Sequence, residues 1–239
     1  STYIYKMPST YKHLFFDLDH TLWDFDANSR ETLLELYDTY DLKKKGIASS
    51  EEFINVYIEY NHQLWRDYHN GVISKEKLRA SRFKYTFEHF NLDEANIPHQ
   101  FETDYVNVCP TKTNLFPGTH EVLTALKDRY ELHIITNGFL ESQEMKMKRT
   151  GLDQYFKEVF VSEVIGLYKP DVQIFQHALR VADTNAKESL MIGDSLEADI
   201  LGARNAGIDQ VYFNPYDQTH EYEVTYEIKD LRELLNILV

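Results

Sequence analysis

Short apolar runs alternate with amphipathic helical patterns over most of this 239-residue chain. Five runs have the length and composition of strands that are buried on both faces: His13–Phe16, Leu132–Ile135, Val159–Val161, Leu190–Ile192 and Val211–Phe213. From the second run onward, helical patterns follow the runs at the spacing of βαβ units: Phe139–Thr150, Asp171–Ala182, Leu196–Ala206 and Ile228–Leu238. Pro170 fits the first turn of the second helix, and Gly151 and Gly207 fit the ends of two others. The pattern predicts an α/β fold with a doubly wound parallel sheet.

A long helical segment separates the first strand from the other four. Its patterns are a helix capped at Ser49 or Ser50 with apolar residues from Phe53 to Leu64, a helix at about Lys75–Phe90 and one at about Pro98–Val108. The chain then returns at Phe116-Pro117-Gly118, and Thr119–Arg129 has the pattern of an ordinary crossover helix. We therefore expect a catalytic core of residues 10–24 and 116–239, with an inserted all-helical cap domain of residues 25–115.

Polar clusters follow the apolar runs at the points where strands end. They are Asp17-Leu18-Asp19-His20-Thr21, Thr136-Asn137-Gly138, Lys169-Pro170 and Gly193-Asp194 through Asp199. Taken singly, each is explained by a turn or by an acid at a helix start. Parallel strands bring their carboxyl ends to one edge of the sheet, which is where open α/β sheets bind ligands. Four clusters in this order therefore indicate a site at that edge, where Asp17 and Asp19 can face the same crevice.

The order of these clusters resembles the haloacid dehalogenase superfamily. Its signature is D-x-D-x-T, a strand-terminal Thr, Lys-Pro and G-D-x-x-x-x-D, which here span Asp17 to Asp199. The helical insert resembles the type C1 cap of that superfamily. One difference is His20, where the superfamily usually has Gly, and it bears on substrate selection because the position borders the segment that leads into the cap.

The resemblance implies specific roles in phosphate ester hydrolysis. Asp17 is the nucleophile that forms an aspartyl-phosphate, and Asp19 is the general acid and base. Mg²⁺ is the implied cofactor. It is bound by the side chains of Asp17 and Asp194 and by the main-chain carbonyl of Asp19, with Asp199 behind them. Two further groups, Thr136-Asn137 and Lys169, are implied to hold the phosphate and to offset the carboxylates. Asp19 argues against dehalogenation, because expulsion of a halide needs no proton donor.

Other stretches resemble the pyrimidine 5′-nucleotidase branch of that superfamily: Leu64–Gly71, Thr136–Phe139 and Gly193–Gly202. The implied substrate is a small phosphorylated metabolite, a nucleoside monophosphate. Candidates for base stacking are Trp65 and Tyr68, with Trp23 and Phe139 beside them, and Arg82 is a candidate for a phosphate or base oxygen. Trp65 and Tyr68 also fit the core of an amphipathic helix. Open alternatives are a sugar phosphate or phosphoglycolate phosphatase, a mutase and, least favoured, a phospho-accepting signalling domain.

Composition limits the partners and the compartment. The chain carries 39 acidic and 25 basic residues, a net charge of −14 at pH 7, which disfavours binding to nucleic acid and to anionic membranes. Cys109 is the only cysteine, so no intramolecular disulfide forms. No apolar run approaches a membrane span and the leader Ser1–Ser9 lacks a signal-peptide pattern, so we expect a cytoplasmic monomer or homodimer. Of the ten histidines only His20 adjoins a motif, and no histidine cluster predicts a transition-metal site.

Overall fold

The computed structural model describes residues 10–239, so the leader Ser1–Ser9 lies outside the described residues. The described chain divides into two compact units: residues up to Phe25 together with Thr113–Val239, and Asp26–Lys112. The predicted cap comprised residues 25–115, and the function of the second unit as a cap stays a prediction. Within residues 10–239, no helix combines the length and the apolar character that a membrane span requires.

The first unit is built on a parallel sheet that has six strands over the described residues. They are β1 (His13–Phe16), β2 (Glu131–Thr136), β3 (Glu158–Val161), β4 (Ser189–Gly193), β5 (Asp209–Phe213) and β6 (Tyr226–Ile228). The strand order β3-β2-β1-β4-β5-β6 confirms the doubly wound fold class. The order reverses between β1 and β4, so a crevice opens where those two strands end.

Ten α-helices accompany the strands of residues 10–239. They are α1 (Phe25–Thr39), α2 (Ser50–His69), α3 (Lys75–His89), α4 (Phe101–Val108), α5 (Thr119–Leu126), α6 (Leu140–Thr150), α7 (Ser162–Ile165), α8 (Val172–Val181), α9 (Gly202–Asn205) and α10 (Leu234–Leu238). Gly151 ends α6 with a φ of 73°, and Gly207 follows α9 with a φ of 77°, as the sequence predicted.

Three predicted elements are wrong in part. Pro170 does not begin α8, because Asp171 caps that helix by accepting a hydrogen bond from the backbone of Gln173. The predicted helix Leu196–Ala206 is a π-helix over Leu196–Leu201 that continues into α9. The predicted helix Ile228–Leu238 begins only after β6, which pairs with β5 at the end of the sheet.

Each unit has its own apolar core. In the first unit, Leu14, Phe15 and Phe16 of β1 are at most 1% exposed, as expected for the central strand of a sheet buried on both faces. In the second unit, the ring of Phe53 on α2 packs against Phe87 on α3 and Phe101 on α4, with centroids 5.8 and 5.7 Å apart. The inserted segment therefore buries these three aromatic residues against one another, as a helical unit with its own core requires.

Candidate active site

The crevice between β1 and β4 holds two of the predicted acids, Asp17 and Asp194. Asp17 directly follows β1, and its backbone N–H donates to the carbonyl of Ile192 on β4 at 2.9 Å. Asp194 directly follows β4. The Thr21 hydroxyl joins the two carboxylates, with its oxygen 3.4 Å from Asp17 Oδ2 and 3.2 Å from Asp194 Oδ1. The structure thus brings together Asp17 and Asp194, which are 177 positions apart in the sequence.

Lys169 supplies a buried positive charge beside these acids. Its Nζ donates to Asp17 Oδ1 at 3.0 Å, to Asp199 Oδ1 at 2.6 Å and to the carbonyl of Ile135 at 2.8 Å. Burial by itself would lower the pKa of this ammonium, but the two carboxylates outweigh it and raise the pKa above its usual value. Lys169 is therefore charged and ties Asp17 to Asp199.

Asn137 holds the lysine loop in place. Its Oδ1 accepts from the backbone N–H of Lys169 at 2.9 Å and from the Ser162 hydroxyl at 2.7 Å, and its Nδ2 donates to the carbonyl of Lys169 at 3.0 Å. The side-chain amide is thus used in positioning Lys169. A direct contact of Asn137 with phosphate stays a prediction.

Asp199 reaches the site from the π-helix Leu196–Leu201. The turn begins at Ser195, whose hydroxyl accepts from the backbone of Ala198 and whose own N–H donates to Asp199 Oδ2 at 3.1 Å. Asp199 is fully buried and lies against the backbone of Gly193, where an added Cβ would be 2.2 Å from Asp199 Oδ2. Glycine is required at that position because any side chain would displace the carboxylate.

The three carboxylates of Asp17, Asp194 and Asp199 form a compact group of oxygen donors. One oxygen from each lies within 4.8 Å of the others. Burial raises the pKa of Asp17 to about 7, with Lys169 acting against the shift and Asp194 adding to it. Burial and neighbouring carboxylates also raise the pKa values of Asp194 and Asp199. Three acids share one lysine, so this all-oxygen site has the donors and the negative charge that suit a hard divalent cation.

Asp19 has a different environment, which depends on α6. Lys146 Nζ donates to Asp19 Oδ1 at 2.9 Å, and Gln143 Nε2 donates to Asp19 Oδ2 at 2.9 Å and to the Thr136 hydroxyl oxygen at 2.6 Å. Burial alone would raise the pKa of Asp19, but the charge of Lys146 and the hydrogen bonds from Lys146 and Gln143 outweigh it and lower the pKa. Lys146 is 4% exposed, with Nζ 4.3 Å from the ring centroid of Trp23. The pKa values of Asp17 and Asp19 thus shift in opposite directions, which by itself favours a proton on Asp17 and the ionised form of Asp19.

Gln143 and Lys146 were not among the sequence-predicted site residues. Both are buried on α6, three positions apart and therefore on one face of that helix. Met147 marks the same buried side. The sequence did contain a signal for these two residues, because a glutamine and a lysine lie on the apolar side of a helix that starts just after Thr136-Asn137-Gly138.

His20 adopts a backbone conformation that favours glycine. Its φ is 63°, in the left-handed region, where histidine is more common than most side chains. Its ring lies 4.9 Å from that of Phe25. The glycine expected from the superfamily pattern is thus replaced here by a residue that keeps the same backbone shape.

The predicted cap residues lie in the second unit. Trp65 and Tyr68 are half-buried on α2, with ring centroids 5.7 Å apart in an edge-on contact. Arg82 is buried on α3, and its Nε and Nη2 donate to the two carboxylate oxygens of Glu102 at 2.8 and 2.6 Å. This internal ion pair gives Arg82 a structural task that the sequence did not indicate. Substrate contacts by these three residues stay predictions.

The remaining candidates for stacking on a base are buried in the first unit. Trp23 has no exposed surface and Phe139 is 4% exposed, so neither presents a free ring face in this structure.

Comparison with known families agrees with the geometry of the core. Residues 11–207 match the haloacid dehalogenase-like hydrolase family, and that span contains all four polar clusters. The chain belongs to this family. It is therefore an enzyme of the haloacid dehalogenase-like hydrolases, on the fold and with the strand-end acids that its sequence predicted.

Relatives of this hydrolase extend over nearly its whole length. It is 36% identical to the pyrimidine 5′-nucleotidase PynA of Streptococcus pneumoniae over 232 residues, which cover 95% of each chain. It is 38% identical to a glyceraldehyde 3-phosphate phosphatase of Methanothermobacter thermautotrophicus over 215 residues, or 85% of each chain. Among solved structures, the HAD-hydrolase YfnB of Bacillus subtilis bound to magnesium has a TM-score of 0.84 at 30% identity, covering 95% of this chain and 98% of the other.

Proposed function

We propose that this hydrolase is a Mg²⁺-dependent phosphomonoesterase that cleaves pyrimidine nucleoside 5′-monophosphates through an aspartyl-phosphate on Asp17. The observation that carries the proposal is that two neighbouring acids, Asp17 and Asp19, have different hydrogen-bond partners. Asp17 lies within the carboxylate group beside Lys169, whereas both oxygens of Asp19 are held by Lys146 and Gln143. We therefore assign the nucleophile to Asp17, which lies in the carboxylate group, and Asp19 carries a proton only when one of its two hydrogen bonds is released.

The proposed reaction has two displacements at phosphorus. An oxygen of Asp17 attacks phosphorus while the bond to the ester oxygen breaks, and Asp19 gives a proton to that leaving oxygen. Asp19 then takes a proton from water, the water oxygen attacks phosphorus, and the bond to Asp17 breaks to release inorganic phosphate. Each bond that forms is matched by one that breaks, and Asp19 returns to its starting protonation state.

The residues around Asp17 support the charge changes in these steps. The Thr136 hydroxyl and Lys169 are proposed to hold phosphate oxygens at the end of β2, and Asn137 keeps the Lys169 loop in position. Mg²⁺ would be bound by the side chains of Asp17 and Asp194 and by the main-chain carbonyl of Asp19, with Asp199 aligned behind them. When bound, this cation supplies positive charge that offsets the carboxylates and the phosphate.

The nucleotide substrate is supported by PynA, a pyrimidine 5′-nucleotidase that matches 95% of the chain. A second candidate is a triose phosphate, since a glyceraldehyde 3-phosphate phosphatase matches 85% of the chain at 38% identity. We further propose that Asp26–Lys112 acts as the cap, where Trp65 and Tyr68 stack on the base. The expected cytoplasmic location and the monomeric or homodimeric state stay predictions.

A panel of monophosphates separates the candidates. Phosphate release from UMP, dUMP, dTMP, glyceraldehyde 3-phosphate and phosphoglycolate is measured with Mg²⁺ and with EDTA. The proposal expects the highest kcat/KM for the pyrimidine nucleotides and no turnover in EDTA. A preference for the triose phosphate would replace the nucleotide assignment and leave the hydrolytic machinery intact.

The intermediate is tested separately by the stereochemistry at phosphorus. A substrate whose phosphorothioate group is chiral through its oxygen isotopes should give inorganic thiophosphate with retained configuration, because two in-line displacements, first by Asp17 and then by water, invert the phosphorus centre twice. Inversion of configuration would show a single direct attack by water and would contradict covalent catalysis. Asp17→Asn should abolish phosphate release and serves as the background control.

A further inference from the structure

A second group of metal-ligating side chains lies at the opposite edge of the sheet. His13 begins β1 and Glu131 begins β2, and the parallel register pairs these two residues directly. His133 lies two positions further along β2, so the side chains of all three project from the same face. The four residue-to-residue steps from His13 to Asp17 span roughly 13 Å at about 3.3 Å per step, which separates this group from the carboxylate site.

The donor atoms of this group are close together. His13 Nδ1 lies 3.0 Å from His133 Nε2 and 3.5 Å from Glu131 Oε2. One donor atom from each of the three residues lies within 4.8 Å of the others. Ligands at about 2.0–2.1 Å from a tetrahedral Zn²⁺ are about 3.3 Å from each other. The distances of 3.0 and 3.5 Å are therefore close to the edges of such a coordination tetrahedron.

The side chains are also in the state that binds a cation. His133 is fully buried and His13 is 9% exposed, and burial lowers the pKa of both imidazoles, that of His133 to about 4. Neutral imidazole is the form that coordinates metals. Glu131 is half exposed, which leaves an approach from solvent. Two imidazoles and a carboxylate favour a borderline transition metal such as Zn²⁺ over Mg²⁺.

We propose that His13, His133 and Glu131 form a second cation site, selective for a divalent transition metal such as Zn²⁺, with water completing the coordination. It uses none of the residues of the proposed catalytic site and does not depend on the proposed function. The sequence did not indicate it, because the histidines are 120 positions apart and meet only through the pairing of β1 with β2.

A simple hydrogen bond between the imidazoles is the competing explanation. In that case one of the two nitrogens carries the proton that they share, and His133 Nδ1 has no hydrogen-bond partner. A cation bound to both His13 Nδ1 and His133 Nε2 displaces that shared proton. Addition of Zn²⁺ should therefore change the imidazole ¹⁵N shifts of both nitrogens if they bind the cation, and should leave them unchanged if they only share a hydrogen bond.

The neighbouring charges give the proposal a second signature. Lys157 Nζ donates to Glu131 Oε2 at 2.9 Å, the same oxygen that faces His13, and Lys12 pairs with Glu188 close to His13. A bound cation competes with Lys157 for that oxygen and is repelled by its charge. Lys157→Met should therefore tighten Zn²⁺ binding, an effect that the hydrogen-bond explanation does not produce.

The experiment is a titration of the metal-stripped, full-length protein with Zn²⁺ in excess Mg²⁺, followed by calorimetry and by ¹⁵N NMR. The proposal expects one equivalent of Zn²⁺ and loss of the proton shared by His13 Nδ1 and His133 Nε2, seen as a change in the ¹⁵N shifts of both nitrogens. Co²⁺ substituted for Zn²⁺ should show the ligand-field absorption of a low-symmetry nitrogen-oxygen site.

Matched variants locate the binding. His13→Asn should no longer bind the one equivalent of Zn²⁺. The surface change Glu131→Gln should weaken Zn²⁺ binding by about tenfold or more, and it tests the proposal even if His13→Asn does not fold. Asp194→Asn and the exposed His62→Asn should bind Zn²⁺ as the parent does. Absence of binding in the parent protein, its loss in Asp194→Asn, or its persistence in Glu131→Gln at unchanged affinity would overturn the proposal.

Discussion

Asp194→Asn should make the metal-free protein more stable while making the enzyme inactive. Asp194 faces two carboxylates, those of Asp17 and Asp199, and Lys169 lies between that pair and cancels about one of the two charges. One uncompensated repulsion at 4.8 Å amounts to about 3.5 kcal/mol at an effective dielectric constant of about 20. Partial protonation of buried acids reduces this, so we expect a gain of about 1–3 kcal/mol in the free energy of unfolding.

The assay is thermal and urea unfolding in EDTA and in Mg²⁺, at mildly alkaline pH where the acids are ionised. For a chain of this size, each kcal/mol shifts Tm by roughly 2–4 °C, so the variant should melt several degrees above the parent in EDTA. Mg²⁺ at about 100 times its Kd should stabilise the parent by about 2.7 kcal/mol and the variant by much less. The difference in Tm between the variant and the parent should therefore become smaller or change sign when Mg²⁺ is added.

Asp153→Asn is the matched control, because it removes the same charge from an exposed position. It should change neither the stability in EDTA nor the response to Mg²⁺. If Asp194→Asn were less stable than the parent in EDTA, the carboxylates would not repel one another as argued. If it gained as much stability from Mg²⁺ as the parent does, Asp194 would not be part of the cation site.

Three further predictions concern the same unit. Asp19→Asn should lower kcat by about 10²–10⁴-fold in steady-state assays while the fold is kept by circular dichroism, and wild-type turnover would exclude Asp19 as the proton carrier. Gly193→Ala should displace Asp199, costing about 1–3 kcal/mol in urea unfolding together with most activity, since the new Cβ lies 2.2 Å from Asp199 Oδ2. The folded-state pKa of His133 lies below its unfolded value, so its contribution to stability is complete above about pH 6.5 and falls by up to about 3 kcal/mol as pH decreases to about 4. Urea titrations of metal-free protein should show this slope, and His133→Gln should reduce it.

The sheet could be predicted from the sequence because its central strands are buried on both faces. The run His13–Phe16 has the same bounds as β1, and the other four predicted strands lie within the observed ones. β6 is only three residues long and has no period to detect. The helix α1 was not predicted, since its sequence is rich in acids and its apolar pattern is weak.

The strand-end acids could be predicted for a related reason. Asp17 and Asp194 directly follow buried strands, and strand order alone brings them to one crevice. Gln143 and Lys146 reach Asp19 because α6 packs with that face toward the end of β1. Two polar residues on the apolar side of a helix mark the face, but no local pattern identifies Asp19 as their partner. Arg82 had the charge expected of a ligand contact, but its partner Glu102 lies on another helix, which the sequence did not reveal.

Burial acts on ionisable groups at both ends of β1, with opposite consequences for charge. At the carboxyl end it disfavours the ionised form of Asp17, and Lys169 offsets only part of that cost, so the site gains from an added cation. At the amino end it disfavours the protonated form of His133, and the imidazole stays neutral without a counter-charge. A hard cation is therefore favoured at one edge by electrostatics, whereas a transition metal is favoured at the other by neutral imidazole nitrogens. Selective loss of Mg²⁺ response in Asp194→Asn and of Zn²⁺ binding in Glu131→Gln would show that one strand serves both sites independently.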